Sequence, residues 1–297
     1  MDSARDTAAA PRPSFGIMTA PMQVEYADLV RVWQAADRVP EIEHAWLFDH
    51  LIPIAGAPQG PIFEGWTLLS ALAAQTRRLR LGMMVTSNRF RPPAMLAKIA
   101  ATVDVVSGGR LDFGIGVGSR PGHPLALREY ESHGMPFTDP ADAVANLAEA
   151  CTLIKRLWTE DEPFDFHGAR LQLTGAFGNP KPVQKPHPPI LVGGRSSATL
   201  RVVAEHADIW NNPGGSVEDT VRRGAVLDRH CAEIGRDPAS ITRSLGLPVS
   251  YASPATTRER IREALDAGIR HIVLSLAAPY PADVVEWVTD EFISTAA

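Results

Sequence analysis

Four short stretches of this chain join residue types that do chemistry to neighbours that can hold them. Asp49-His50 follows the apolar run His44–Phe48 and sets an imidazole, which exchanges protons near neutral pH, beside a carboxylate able to orient a ligand. The same pair also reads as a turn-capping aspartate next to a loop histidine. Gly116-Val117-Gly118 has the composition of a phosphate cradle, because glycine lets backbone N–H groups approach an anion; a plain turn is the alternative. Gly193-Gly194-Arg195-Ser196-Ser197 repeats the idea at the start of a helix, whose N-terminus attracts anions, although Gly-Gly before Ser is also an ordinary helix start. Thr86-Ser87-Asn88 offers hydroxyl and amide groups suited to a heterocycle's edge, or to the backbone of its own loop. No metal-ligand spacing and no Gly-x-Ser-x-Gly elbow appears, so metallohydrolase and serine-esterase chemistry have no support.

The elements that must position these groups are legible from their periods. Leu79, Leu81, Met83 and Val85 alternate as in a strand; Pro92-Pro93 can open a helix; Leu96, Ile99, Ala100, Val103 and Val106 make one apolar helical face. Ser107-Gly108-Gly109 stops that helix, and Leu111–Gly116 resumes as a strand. Strand, helix and strand of these lengths form a parallel pair with a right-handed crossover. Around this unit the chain reads as strands at Ser14–Thr19, His44–Phe48, Ile190–Val192, Ala207–Trp210, Ser244–Val249 and His271–Leu276, each followed by a helical pattern. Eight alternations without a midway linker favour an α/β fold, a closed (β/α)8 TIM barrel formed as a single domain over residues 14–297; a doubly wound open sheet is the alternative. An insertion between the fourth and fifth strands holds an irregular passage after Gly118, a long helix through Val144–Trp158, and a hairpin turning at His167-Gly168.

Composition excludes several classes. The chain has 297 residues and a formal net charge of −5, which provides no footprint for nucleic acid or an anionic membrane. No apolar run approaches the length of a membrane span, and residues 1–13 lack the apolar centre of a secretory signal and read as a flexible tail. Cys151 and Cys231, far apart in helical patterns, read as reduced thiols of a cytoplasmic protein. Trp33, Trp158 and Trp287 lie on helical faces and read as core, His167 and His187 as turn residues.

In this order the pieces WLFDHLIP, PIFEGWTLLSALAAQTRRLRLGMMVTSN, RPPAMLAKIAATVDVVSGGRLDFGIGVG, EYESHGMPF and PKPVQKPHPPILVGG resemble the luciferase-like flavin and deazaflavin oxidoreductases, from about Phe15 to Phe292. Within that superfamily the chain is most similar to the branch that uses coenzyme F420, an 8-hydroxy-5-deazaflavin with a phosphate-bearing tail. The resemblance implies an oxidoreductase that moves hydride between the deazaflavin and a small organic substrate, and a homodimer. An FMN-dependent monooxygenase and a non-catalytic flavin-binding barrel are the alternatives on the same scaffold. It implies further that Asp49 contacts the ring system and that His50, beside the ring face, exchanges the proton. Met84-Val85 would be a non-prolyl cis peptide pressed against the ring, Thr86 and Asn88 ring-edge contacts. Gly116, Val117, Gly118, Gly193 and Gly194 would hold the cofactor's phosphate tail, and Ser119 and Arg195 would also contact the cofactor. Deazaflavin-dependent glucose-6-phosphate dehydrogenases have Glu where this chain has Ser119 and Trp where it has Ile54, so sugar-phosphate oxidation is not expected. The passage after Ser119 and the start TDPADAVANL of the long helix are remodelled relative to that family, which leaves the substrate open.

Overall fold

Eight parallel strands close on themselves in a computed structural model that describes residues 12–119, 124–136 and 139–296. In chain order they begin with β1 (Ser14–Thr19), α1 (Tyr26–Asp37), β2 (Ile42–Leu47), α2 (Gly65–Gln75) and β3 (Arg80–Met83). A two-residue strand β4 (Thr86–Ser87) precedes α3 (Pro93–Ser107) and β5 (Leu111–Gly116). The insertion contains α4 (Pro124–Ser132), α5 (Pro140–Thr159) and the antiparallel hairpin β6 (Phe164–His167) and β7 (Gln172–Ala176). The barrel resumes with β8 (Ile190–Gly193), α6 (Ser197–His206), β9 (Ile209–Asn211), α7 (Val217–Glu233), β10 (Thr242–Pro248), α8 (Pro254–Asp266) and β11 (His271–Leu276), and α9 (Val284–Val288) follows. Pairing runs β3-β2-β1-β11-β10-β9-β8-β5, and β3 also pairs with β5 through Leu81↔Leu111 and Gly82↔Asp112. That last ladder closes the circle and rules out the open sheet. The flexible tail expected over residues 1–13 lies, up to residue 11, outside the described residues.

Local chemistry accounts for the helix limits. Pro93 opens α3, where a missing N–H costs nothing, and Gly108 ends it at φ +70° with its N–H returned to the last turn. Asp139 caps α5 ahead of Pro140, and Ser196 and Ser216 accept backbone N–H groups at the starts of α6 and α7. Apolar side chains on the outward face of the strands and the inward face of the helices make the main core, which includes Trp33, Trp66 and Trp158; Trp287 packs at its margin. Inside the barrel a separate dry plug of Trp46, Leu191, Ile209 and Val273 carries Met18, Met84 and Val85 against it. Cys151 and Cys231 are buried, unpaired thiols, and burial pushes Cys151 up to about 12.

Two sequence expectations change. The third strand, read as continuous to Val85, stops at Met83 and breaks at a cis Met84-Val85 peptide. Four residue steps from Gly82 to Thr86 face only three from Asp112 to Ile115, so the interruption is a one-residue bulge on the β5 ladder. The passage after Gly118, read as irregular, contains α4; a nine-residue helix with Ala126, Glu129 and Tyr130 buried is too short for its period to stand out. No described helix is long and apolar enough to cross a membrane.

Candidate functional site

A cavity of about 820 Å³ opens at the C-terminal ends of the barrel strands, where βα loops converge. Phe48, Asp49 and His50 reach it from the end of β2, Met84 and Val85 from the bulge, and Ser87, Arg89 and Phe90 from beyond β4. Gly116 to Ser119 enter after β5, Gly193 to Ser196 after β8, and Pro140, Ala143 and Val144 from the first turn of α5. Met84 and Val85 also touch the dry plug, so they form the cavity floor. Of the residues selected from sequence, all but Thr86, Asn88 and Ser197 line this one space.

Asp49 is held inside a buried network. Its side chain has no solvent exposure, and Arg91 grips it with Nη1 donating to Oδ2 at 2.6 Å and Nη2 to Oδ1 at 3.2 Å. The Thr86 hydroxyl donates to the same Oδ2, and the Trp66 indole donates to Thr86 at 3.2 Å. Thr86 therefore faces Asp49 and the α2 wall, not the cavity. Arg91 also bonds Glu64, whose carboxylate caps α2 through the amide of Thr67 at 2.7 Å. Burial pulls the Arg91 guanidinium down, but the carboxylates of Asp49 and Glu64 outweigh it and hold it above its ordinary value. The spacing of Asp49 and Arg91, 42 positions apart, carries no sequence signal.

His50 is part-exposed to the cavity, and its Nδ1 lies 3.1 Å from both carboxylate oxygens of Glu129. Glu129 belongs to α4, is 1% exposed, and also accepts the Leu51 amide at 2.6 Å. Next to it, the Tyr130 hydroxyl meets Ser87 Oγ at 3.2 Å, and the Arg89 guanidinium lies 5.7 Å from the Tyr130 ring centroid. Sequence reasoning missed Glu129, Tyr130 and Arg91. Glu129 and Tyr130 open the stretch EYESHGMPF and Arg91 opens RPPAMLAK, so the resemblance marked these positions without giving them a task.

The glycine motifs divide by task. A Cβ on Gly116 or on Gly193 would come within 2.9 Å of the Val85 side chain, so these glycines make room for the bulge between β5 and β8. Gly194 donates its N–H to Asn211 O at 3.2 Å. Gly118 has φ +83°, and a Cβ there would meet Ser87 Oγ at 2.3 Å and the Tyr130 hydroxyl at 2.6 Å. The β8 end is rich in cations. Arg195, Arg222 and Arg223 surround the one carboxylate of Asp219, with contacts of 3.0 Å from Arg195 and 2.7 Å from Arg223. The bond from Arg223, with those from Asn212 and Arg222, holds Asp219 well below the usual carboxylate range. Beside this edge Arg195 Nε and Asn212 Oδ1 are buried without hydrogen-bond partners among the described residues. Asn88 Oδ1 is in the same condition, while the Asn88 amide N–H pairs with Gly116 O at 2.9 Å.

Comparison with known proteins gives the family and the fold. Residues 9–292 match the luciferase-like monooxygenase family. An uncharacterised protein of Mycobacterium tuberculosis (strain ATCC 25618 / H37Rv) is 30% identical over 220 residues, 74% of this chain and 70% of the relative. A phthiodiolone/phenolphthiodiolone dimycocerosates ketoreductase of Mycobacterium kansasii is 33% identical over 69% of this chain, and an FMNH(2)-dependent dimethylsulfone monooxygenase of Pseudomonas putida 30% over 61%. The matches span 53% and 49% of those two relatives, about half their length. Among solved structures, an F420-dependent secondary alcohol dehydrogenase in complex with an F420-acetone adduct superposes with a TM-score of 0.83 at 17% identity, covering 97% of this chain and 100% of that one. With a closed eight-stranded barrel whose strand ends enclose the cavity, and a match over nearly its whole length, the chain belongs to the luciferase-like monooxygenase family.

Proposed function

We propose that the protein is an F420-dependent oxidoreductase acting on a small organic substrate. The observation that carries this reading is one cavity lined both by rings, those of Phe48, His50 and Phe90, and by glycine-rich backbone at Gly116 to Ser119 and Gly193 to Ser196, with Arg195 beside it. Such a space suits a planar heterocycle with an anionic tail, and about 820 Å³ lies within the ~300–1,000 Å³ usual for cofactor-sized ligands. The buried, unpartnered Arg195 Nε and the start of α6 at Ser196 fit a phosphate. The bound deazaflavin would supply the hydride chemistry.

The chain's own residues would do the rest. Met84 and Val85 would support the ring from below, and the apolar floor would exclude water. His50 would exchange the substrate proton. Asp49, engaged by Arg91 and Thr86, would hold the loop that presents His50. Ser119, Gly118 and Val117 would lie along the cofactor between its two ends. Phe48, Phe90, Ala143 and Val144 would give the substrate an apolar wall. A homodimer and a cytoplasmic location belong to this reading, and Met95, Val105 and Val106, exposed on α3, are candidate contacts for the second copy.

The similarity to an FMNH(2)-dependent monooxygenase favours FMN as the second reading. Titration of the purified protein with F420 and, separately, with FMN, followed by fluorescence, discriminates. F420 is expected to bind at least tenfold tighter, about 1.4 kcal/mol. Equal or tighter FMN binding would transfer the assignment to the monooxygenase, and binding without turnover would favour a non-catalytic flavin-binding barrel. Binding of neither would overturn all three.

A further inference from the structure

We propose that Glu129 is the positioning residue for His50, fixing its tautomer and the direction in which its free nitrogen points. The catalytic consequence rests on the function proposed above; the structural claim does not. An ionised carboxylate has only acceptor sites, so the ring nitrogen facing it carries the hydrogen. Nδ1 lies at 3.1 Å from both Glu129 oxygens, so one N–H is shared between them. In the neutral ring the lone pair is then on Nε2, which has no protein partner among the described residues.

Two observations make this an anchor and not a passing surface contact. Glu129 is buried, with 1% exposure, and the Leu51 amide holds its Oε1 at 2.6 Å, so the carboxylate cannot swing away. Leu51 directly follows His50, so one carboxylate grips both the backbone and the ring of the same loop. The Phe48 ring meets the imidazole edge-on, with centroids 5.7 Å apart, and limits its rotation from the other side. Glu129 does not line the cavity, so it acts on a ligand only through His50.

The test reads the tautomer in the protein without cofactor. Long-range ¹H–¹⁵N spectra of ¹⁵N-histidine-labelled protein at pH 8.5, with His50 assigned by its loss in His50→Asn, distinguish a protonated from a bare ring nitrogen. The wild type is expected to show hydrogen on Nδ1. In Glu129→Gln the side-chain oxygen can keep the Leu51 amide while the amide nitrogen faces Nδ1, and the Nδ1–H share should fall at least twofold. F420 affinity should stay within twofold, since Glu129 is outside the cavity. Hydrogen on Nε2 in the wild type, or an unchanged tautomer in a folded Glu129→Gln, would overturn the proposal. Should that variant not fold, the wild-type spectrum still decides. If wild-type protein fails to bind F420, the functional reading falls while the tautomer result stands.

Discussion

His44 on β2 and His271 on β11 lie face to face inside the barrel, with ring centroids 4.1 Å apart and planes 9° apart. Trp46 donates to His44 Nδ1 at 2.7 Å, His271 Nδ1 meets Ser244 Oγ at 2.9 Å, and Asn211 reaches the same Oγ at 3.3 Å. Both histidines are buried. Burial, with His271 and Arg80 nearby, holds His44 well below the ordinary imidazole value; burial and Arg80 bring His271 to about 4 against an opposing pull from Glu43.

The first prediction follows from that pair. Their folded-state values are depressed, so below about pH 6.5 the unfolded chain binds protons that the folded chain refuses. Stability is thus complete above about pH 6.5 and declines as pH falls toward 4. His271 alone contributes on the order of 3 kcal/mol of that loss, from 6.5 down to about 4. His206, lowered to about 4 by burial and then by Lys155 and Arg236, acts with the same sign. Urea unfolding at pH 7.5, 5.5 and 4.5 checks this, and His271→Phe, which keeps a stacked ring, should flatten the profile. A wild-type profile already flat across that range would mean the pair is not held neutral.

Arg91→Ala leaves the fully buried Asp49 carboxylate without its cation. Removing one partner of such a pair typically costs about 3–5 kcal/mol. Arg91→Lys keeps the charge but loses the two-pronged grip, and should cost less. Denaturant midpoints give both values; a loss under about 1 kcal/mol for Arg91→Ala would show that the network is not a structural anchor.

Arg195→Gln and Gly118→Val should separate cofactor binding from folding. Arg195 shares the part-exposed Asp219 with two other arginines, so its removal should scarcely move the melting temperature. It should nevertheless weaken F420 and FMN at least fivefold, roughly 1 kcal/mol, if the phosphate sits at that edge. Gly118→Val meets Ser87 and Tyr130 at a positive φ and should lower the melting temperature outright. Unchanged affinity in Arg195→Gln would move the phosphate elsewhere in the cavity.

His50→Asn keeps a polar side chain able to donate to Glu129 but removes acid–base capacity near neutral pH. General acid–base catalysis contributes ~10²–10⁴-fold. The variant should fold, bind F420 within twofold of wild type, and slow the single-turnover change in cofactor absorbance at least a hundredfold. A chemical step that keeps its rate would leave His50 as a wall of the cavity only.

What the sequence by itself determined is what short-range chemistry carries. Periods of two and of three to four, with Pro93, Gly108, Asp139 and Ser196 as starts and stops, mark the strands and helices because each signal lies within one element. The order of those elements, and the residues at strand ends, brought Asp49, His50, Gly116 and Gly193 to one rim before any coordinate was known. Closure was decided elsewhere, by the ladder between β3 and β5, since pairing of distant strands leaves no periodic trace. So were the partners. Glu129 is 79 positions from His50 and Arg91 is 42 from Asp49, and no periodicity links residues so far apart. The glycines make the same point from the other side. Gly116 and Gly193 read as a phosphate cradle in one dimension; the structure adds that a Val85 side chain packs beside both, because only packing in three dimensions determines what a missing Cβ makes room for.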